Sequence, residues 1–147
     1  MPDEKRPDRL VVRKLIAAPR ERVFAAWIDP ESLREWMCPG EMTSAEARID
    51  ARVGGTYRLV MKDATRAVDH TGEYLVVDRP SKLVFTWISN STGNRPTLVT
   101  VDLLDRGGAC EVVLTHERFG DMEQVQRHAR GWGTILDKLA LHVEART

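Results

Sequence analysis

Net charge is the first thing this sequence lacks. Lys+Arg and Asp+Glu both number 22 in 147 residues, so the formal net charge is zero. A balanced chain offers no broad electrostatic footprint for nucleic acid or anionic lipid, and neither partner is expected. No apolar run is long enough to cross a bilayer, and the charged start shows no signal-peptide pattern. A cytoplasmic location is the resulting expectation. Cysteine is scarce: Cys38 and Cys110 have no metal-ligand spacing and should be reduced thiols. The G-x-S-x-G elbow, the P-loop and G-x-G-x-x-G are all missing. His70, His116, His128 and His142 do not fall at H-E-x-x-H spacing, so no metal and no cofactor are expected.

What is present is an ordinary globular composition, 42% hydrophobic and 30% charged. A chain of this length buries roughly 70% of its unfolded surface as one domain and needs no staples. The last stretch, Asp121 to Arg146, organises the rest. Val125, Ala129, Trp132, Leu136, Leu139 and Val143 recur at helical spacing, with Ile135 at the edge. Asp121 predicts an N-cap, and Gln124 fits the capping-box spacing. Arg127, Arg130, Asp137, Lys138 and Glu144 take the opposite face. Gly131 and Gly133 interrupt the pattern, each at a cost of about 1 kcal/mol against Ala. They predict a close backbone approach or a bend.

Everything before this helix reads as strands, apart from two short helices. Residues 1–8 are polar, with two prolines, and predict a mobile tail ahead of a single domain at 9–147. Arg9–Ile16 is a first strand. Pro19 is placed as a first-turn proline, followed by Val23, Phe24 and Trp27 at helical spacing. Asp29-Pro30-Glu31 predicts the N-cap, first proline and first acid of a second helix carrying Leu33, Trp36 and Met37. From Thr43 the period becomes two. Strands are predicted over Ser44–Asp50, Thr56–Lys62, Asp69–Val77, Lys82–Ile88, Thr97–Leu104 and Cys110–Arg118, with Asp105-Arg106-Gly107-Gly108 as a hairpin turn. Short turns between consecutive strands imply an antiparallel sheet. The result is an α+β order: strand, two short helices, about six antiparallel strands, long C-terminal helix across a curved sheet.

These residues resemble a known family. Ala17 to Phe24, Ala26-Trp27 and Asp29-Pro30-Glu31 are similar to the opening of the activator-of-Hsp-ninety-ATPase-like (AHSA-type) domain of the START-like, or SRPBCC, superfamily. The likeness continues through Trp36, Pro39, Asp50, Gly54 to Arg58, Gly72-Glu73-Tyr74, Leu83 to Trp87, Leu114-Thr115-His116, Gly131-Trp132 and Leu136. The resemblance implies the helix-grip fold. It also implies a cavity between sheet and helix for a small hydrophobic or aromatic ligand, in a non-catalytic binding domain. Two alternatives stay open: a protein-interaction module serving a chaperone ATPase or the stress response, and a polyketide cyclase- or hydrolase-like enzyme using His116 and Tyr57. Monomer and homodimer are both compatible with the sequence.

Strand parity places Tyr57, Leu59 and Met61 on one face, with Gly72, Tyr74 and Val76. Leu83, Phe85 and Trp87 join them, as do Val99, Val101, Leu103, Val112, Leu114 and His116. Trp132, Ile135, Leu136 and Leu139 face this set from the helix. The stripe is either a plain core or a partly hollow one. The candidate ligand-binding residues are Trp36, Tyr57, Met61, Tyr74, Phe85, Trp87, His116, Phe119, Trp132 and Leu136, because large aromatics with a polar handle build pocket walls. His116 is either a neutral core histidine bonded to the helix or a ligand-orienting one. His128 is expected near it, and His142 is expected to be exposed or near the edge. Gly72 is expected to permit a bend. Cys38 has no evident cationic neighbour in the sequence, and Cys110 reads as a small buried hydrophobe.

Overall fold

The computed structural model describes residues 8–40, 42 and 44–145. The expected tail at 1–8 lies outside these residues, Asp8 excepted. The chain forms β1 (Arg9–Ile16), α1 (Arg20–Ile28), α2 (Pro30–Trp36), β2 (Ser44–Ile49), β3 (Thr56–Lys62), β4 (Ala67–Asp78), β5 (Lys82–Trp87), β6 (Thr97–Asp105), β7 (Cys110–Glu117) and α3 (Met122–Glu144). The seven strands make one antiparallel sheet in the order β1-β7-β6-β5-β4-β3-β2. β2 to β7 follow one another in the sheet as the sequence predicts, through short turns except between β5 and β6, where residues 88–96 form a longer connection with one turn of 3-10 helix. The two short helices carry the chain from one sheet edge, β1, to the other, β2.

Local chemistry sets these boundaries. Asp29 caps α2, its Oδ1 accepting from the Glu31 amide at 3.0 Å, with Pro30 at the first helical position. Pro19 sits one place earlier than expected, as the extended residue before α1 rather than inside it. Asp121 Oδ1 accepts from the Gln124 amide at 2.9 Å. The Gln124 side chain returns to the Gly120 amide at 3.1 Å, so the reciprocal bond of the capping box is displaced by one residue.

α3 buries Val125, Trp132, Ile135, Leu136, Leu139, Ala140 and Val143. It packs beside β1, α1 and α2, so the concave face is covered by all three helices together. Every predicted inward position is buried except Gly72, which is partly covered, and Val76. Val76 is 36% exposed because the β4–β5 register slips between Tyr74 and Val76, and Val77 packs towards the core instead.

Gly72 departs from its expected role. A Cβ there would lie 2.0 Å from the Thr86 carbonyl oxygen and 2.6 Å from the Tyr57 ring and hydroxyl. Close approach of another side chain and strand requires this glycine. The α3 glycines depart in the opposite sense. A Cβ on Gly133 meets nothing within 4 Å, and one on Gly131 meets Pro39 Cβ at an ordinary 3.6 Å, so no backbone presses on either. Lys138 also leaves its predicted solvent face, folding onto the Cys38 and Met42 carbonyls at 2.8 and 3.0 Å. The His142 side chain is 11% exposed and lies 3.3 Å from the Glu35 carboxylate, so it is not the exposed residue that one of the two expectations makes it.

Candidate functional site

The inner face of the sheet and α3 meet through rings. Trp87 on β5 and Trp132 on α3 have centroids 5.0 Å apart, and Trp27 and Trp36 meet edge-to-face at 4.7 Å. Towards the Trp132 end of this cluster one polar chain ties helix to sheet. Trp132 Nε1 donates to His116 Nδ1 at 2.9 Å. An indole nitrogen can only donate, so Nδ1 carries a lone pair and the single proton of the neutral ring sits on Nε2. Nε2 donates to Thr97 Oγ1 at 2.7 Å, and that hydroxyl donates to the Trp87 carbonyl at 2.5 Å. His116 is fully buried. Burial, then the neighbouring His128 and His70, hold it well below the ordinary histidine value. Both ring nitrogens are committed, which is the core-histidine arrangement.

A cleft of about 250 Å³ opens beside this chain. Its walls are Met42, Met61, Val68, Trp87, Trp132 and Ile135, with His70, Ser91 and His128 supplying polar atoms and Arg66 and Arg127 contributing guanidiniums. Pro39 and Gly131 complete the lining. Among the described residues His70 Nδ1 and Trp87 Nε1, like Trp27 Nε1 and Arg20 Nε away from the cleft, are buried out of reach of solvent without a hydrogen-bond partner. Such orphans in a folded interior call for an explanation, because each leaves a desolvated polar group unpaired. His70 stacks at 4.7 Å from Trp87, and burial pushes it down to about 4. His128 donates from Nδ1 to the Gln124 carbonyl, which leaves Nε2 as an acceptor in the neutral ring, and burial lowers it as well.

The predicted site residues divide into three groups. Met61, Trp87 and Trp132 line the cleft. Tyr57, Tyr74 and Phe85 line a separate void of about 10 Å³, together with Trp87. A void of that size holds about one water at most. Trp36, His116, Phe119 and Leu136 line neither and pack in the interior. Trp36 donates to the Ala26 carbonyl at 3.3 Å, and Phe119 stacks on His116 at 4.2 Å. Tyr57 donates to the Thr86 carbonyl, and burial raises its hydroxyl well above the usual value. Both His116 ring nitrogens and the Tyr57 proton are thus committed, and neither residue lines the cleft, so the geometry gives an acid–base pair of the two no support.

Sequence reasoning missed His70 and Val68. Both share the inward parity of Gly72 and Tyr74: His70 lies inside the predicted strand and parity alone would have placed it, and Val68 lies one residue before its predicted start. Met42, Arg66 and Ser91 come from connecting segments, where no periodicity marks a facing side chain. Cys38 corrects another expectation: Lys138 Nζ lies 3.6 Å from its sulfur, although the thiol is buried and bonded to the Met42 carbonyl. Among the described residues no group of His, Cys, Asp and Glu is placed to hold a metal ion, and no helix is long and apolar enough to cross a membrane.

An open antiparallel sheet gripping one long helix above a cleft defines a helix-grip domain of the START-like class. The family model described as Activator of Hsp90 ATPase homolog 1-like protein matches residues 17–144, and the chain belongs to that family. A solved protein from Chromobacterium violaceum is 24% identical, with a TM-score of 0.83 over 95% of this chain and 99% of its own. An AHSA1 protein from Silicibacter pomeroyi is 26% identical, with a TM-score of 0.79 over 95% and 99%. An AHSA1-like protein from Aeromonas hydrophila is 25% identical, with a TM-score of 0.75 over 94% and 93%. A search of curated proteins returned no match.

Proposed function

We propose that this domain is a non-catalytic binder of a small apolar or aromatic molecule, held in the cleft between the sheet and α3. The observation that carries the reading is the cleft itself, about 250 Å³ in volume and walled by Met42, Met61, Val68, Trp87, Trp132 and Ile135, with Ser91 and His128 supplying polar side chains. A ligand would meet Ser91 and His128 with one polar group while Met61, Trp132 and Ile135 desolvate its body. Trp36, Tyr57, Tyr74, Phe85, His116, Phe119 and Leu136 then act as the scaffold that fixes this wall. At about 250 Å³ the cleft is below the ~300–1,000 Å³ of drug-sized sites, so the ligand is one or two rings.

Titration with a library of hydrophobic compounds, followed by intrinsic tryptophan fluorescence, tests the reading. Saturable changes are expected for the wild type and for Gly133→Ala, which lies outside the cleft. They are expected to vanish in Gly131→Leu, which plugs it. No saturable change with any compound would remove the reading.

The family's description favours a second reading, activation of a chaperone ATPase. It would use an exposed surface, and the edge strand β1 offers Val11 and Leu15, 44% and 64% exposed. A chaperone ATPase assay separates the two, since a plugged Gly131→Leu variant keeps such an activity while losing ligand.

A further inference from the structure

Among the described residues arginines predominate at the mouth of the cleft, in a chain whose net charge is zero. Arg66 and Arg127 line the cleft itself. A shallower cleft of about 390 Å³ adjoins it through Pro39, Met42, Arg66 and Gly131, and adds Arg130 and Asp63. Among the described residues three arginines thus border one entrance, against the carboxylates of Asp63 and Glu123.

Those carboxylates are poor competitors for the arginines. Asp63 closes its own turn, Oδ1 accepting from the Thr65 amide, the Thr65 hydroxyl and the Arg66 amide at 2.8–2.9 Å. Its other oxygen stands 3.5 Å from Arg66 Nε, which is a loose pair. Glu123 holds Arg127 at 2.6 Å, but 78% of its side chain is exposed. Solvent-exposed pairs of this kind contribute little and exchange readily. Arg130 has no ion-pair partner among the described residues. An acid arriving from the apolar side would be partly desolvated, and a guanidinium fork binds a planar carboxylate through two parallel hydrogen bonds.

We propose that the natural ligand is an amphiphilic acid. Its ring body lodges between Met61, Trp87 and Trp132, and its carboxylate is held at the entrance by Arg66 and Arg127. This rests on the ligand-binding reading above and adds the charge of the ligand to it.

Calorimetric titration of the full chain with 2-naphthoate and with its neutral analogue, 2-naphthalenemethanol, tests the inference. The acid is expected to bind about tenfold tighter than the alcohol, a preference that falls with added salt. In the Arg66→Gln/Arg127→Gln variant the two affinities should agree within about twofold, with the alcohol unchanged. Both arginine side chains are more than half exposed, so the variant should fold as the wild type does, which circular dichroism checks. Equal affinities on the wild type would overturn the acid while leaving the cleft as a neutral-ligand site. An acid preference that survives in the double variant would overturn the arginine assignment. Binding of neither compound would count against the cleft reading itself and remove the inference with it.

Discussion

Replacing Thr97 by Val tests the polar chain that joins α3 to the sheet. Valine keeps the branched shape at a position 1% exposed but removes the hydroxyl that bridges His116 and the Trp87 carbonyl. Two hydrogen bonds disappear, each worth about 0.5–1.5 kcal/mol net, and the His116 Nε2–H is left buried with no acceptor, at a further ~1–3 kcal/mol. Allowing for partial relaxation, the loss should be about 2–4 kcal/mol. For a domain of this size that lowers Tm by roughly 5–15 °C. Urea denaturation of Thr97→Val, His116→Phe and the double variant supplies the measurement. Because His116 and Thr97 act through one another, the double variant should cost at least about 1 kcal/mol less than the sum of the singles. A Thr97→Val loss under about 0.5 kcal/mol, or strict additivity, would refute the tautomer and the chain built on it.

Three other outcomes follow from the same structure. Unfolded histidines titrate near 6.5, whereas burial holds folded His70 at about 4 and keeps His116 and His128 low as well. The unfolded chain therefore binds more protons between about 4 and 6.5, so stability is full above about 6.5 and is lost as pH falls through this window. For His70 alone the interval is worth roughly 3 kcal/mol, and a urea midpoint that does not drop between pH 7.5 and pH 5 would contradict it. Gly133→Ala should raise stability by about 0.4–1 kcal/mol, because a Cβ there meets nothing within 4 Å inside a continuous helix; a lower thermal midpoint would show a constraint on that glycine. Gly72→Ala should cost more than about 3 kcal/mol or prevent folding, since its Cβ would sit 2.0 Å from the Thr86 oxygen. A soluble variant with wild-type Tm would mean the β4 backbone has freedom that the packing denies.

The sequence carried the strands and α3 because burial there is one-sided and therefore periodic: Tyr57, Leu59 and Met61 alternate, and Val125 to Val143 recur at helical spacing. Val76 was misread because a bulge reverses parity without leaving a compositional mark. The candidate site was legible where it lies on regular elements, as for Met61, Trp87 and Trp132. It was not legible for Arg66 or Ser91, which reach the cleft from connecting segments. Nor could the sequence separate Trp36 and Leu136, which fill the interior, from Trp87 and Ile135, which border a space. That distinction depends on gaps of a few ångströms between side chains, and hydrophobicity is the same on both sides of it. Lys138 shows the same limit: its helical position marks it as solvated, and only the fold brings two carbonyls within its reach.

The central claim is that the space beneath α3 receives a ligand, and the four tryptophan side chains report on it individually. A two-dimensional NMR titration of the indole N–H signals with 2-naphthoate should move the Trp87 and Trp132 resonances together and saturably. Trp36, bonded to the Ala26 carbonyl away from the cleft, should stay in place. Four unshifted indole signals at saturating compound, or movement confined to residues on the outer face of the sheet, would contradict the account.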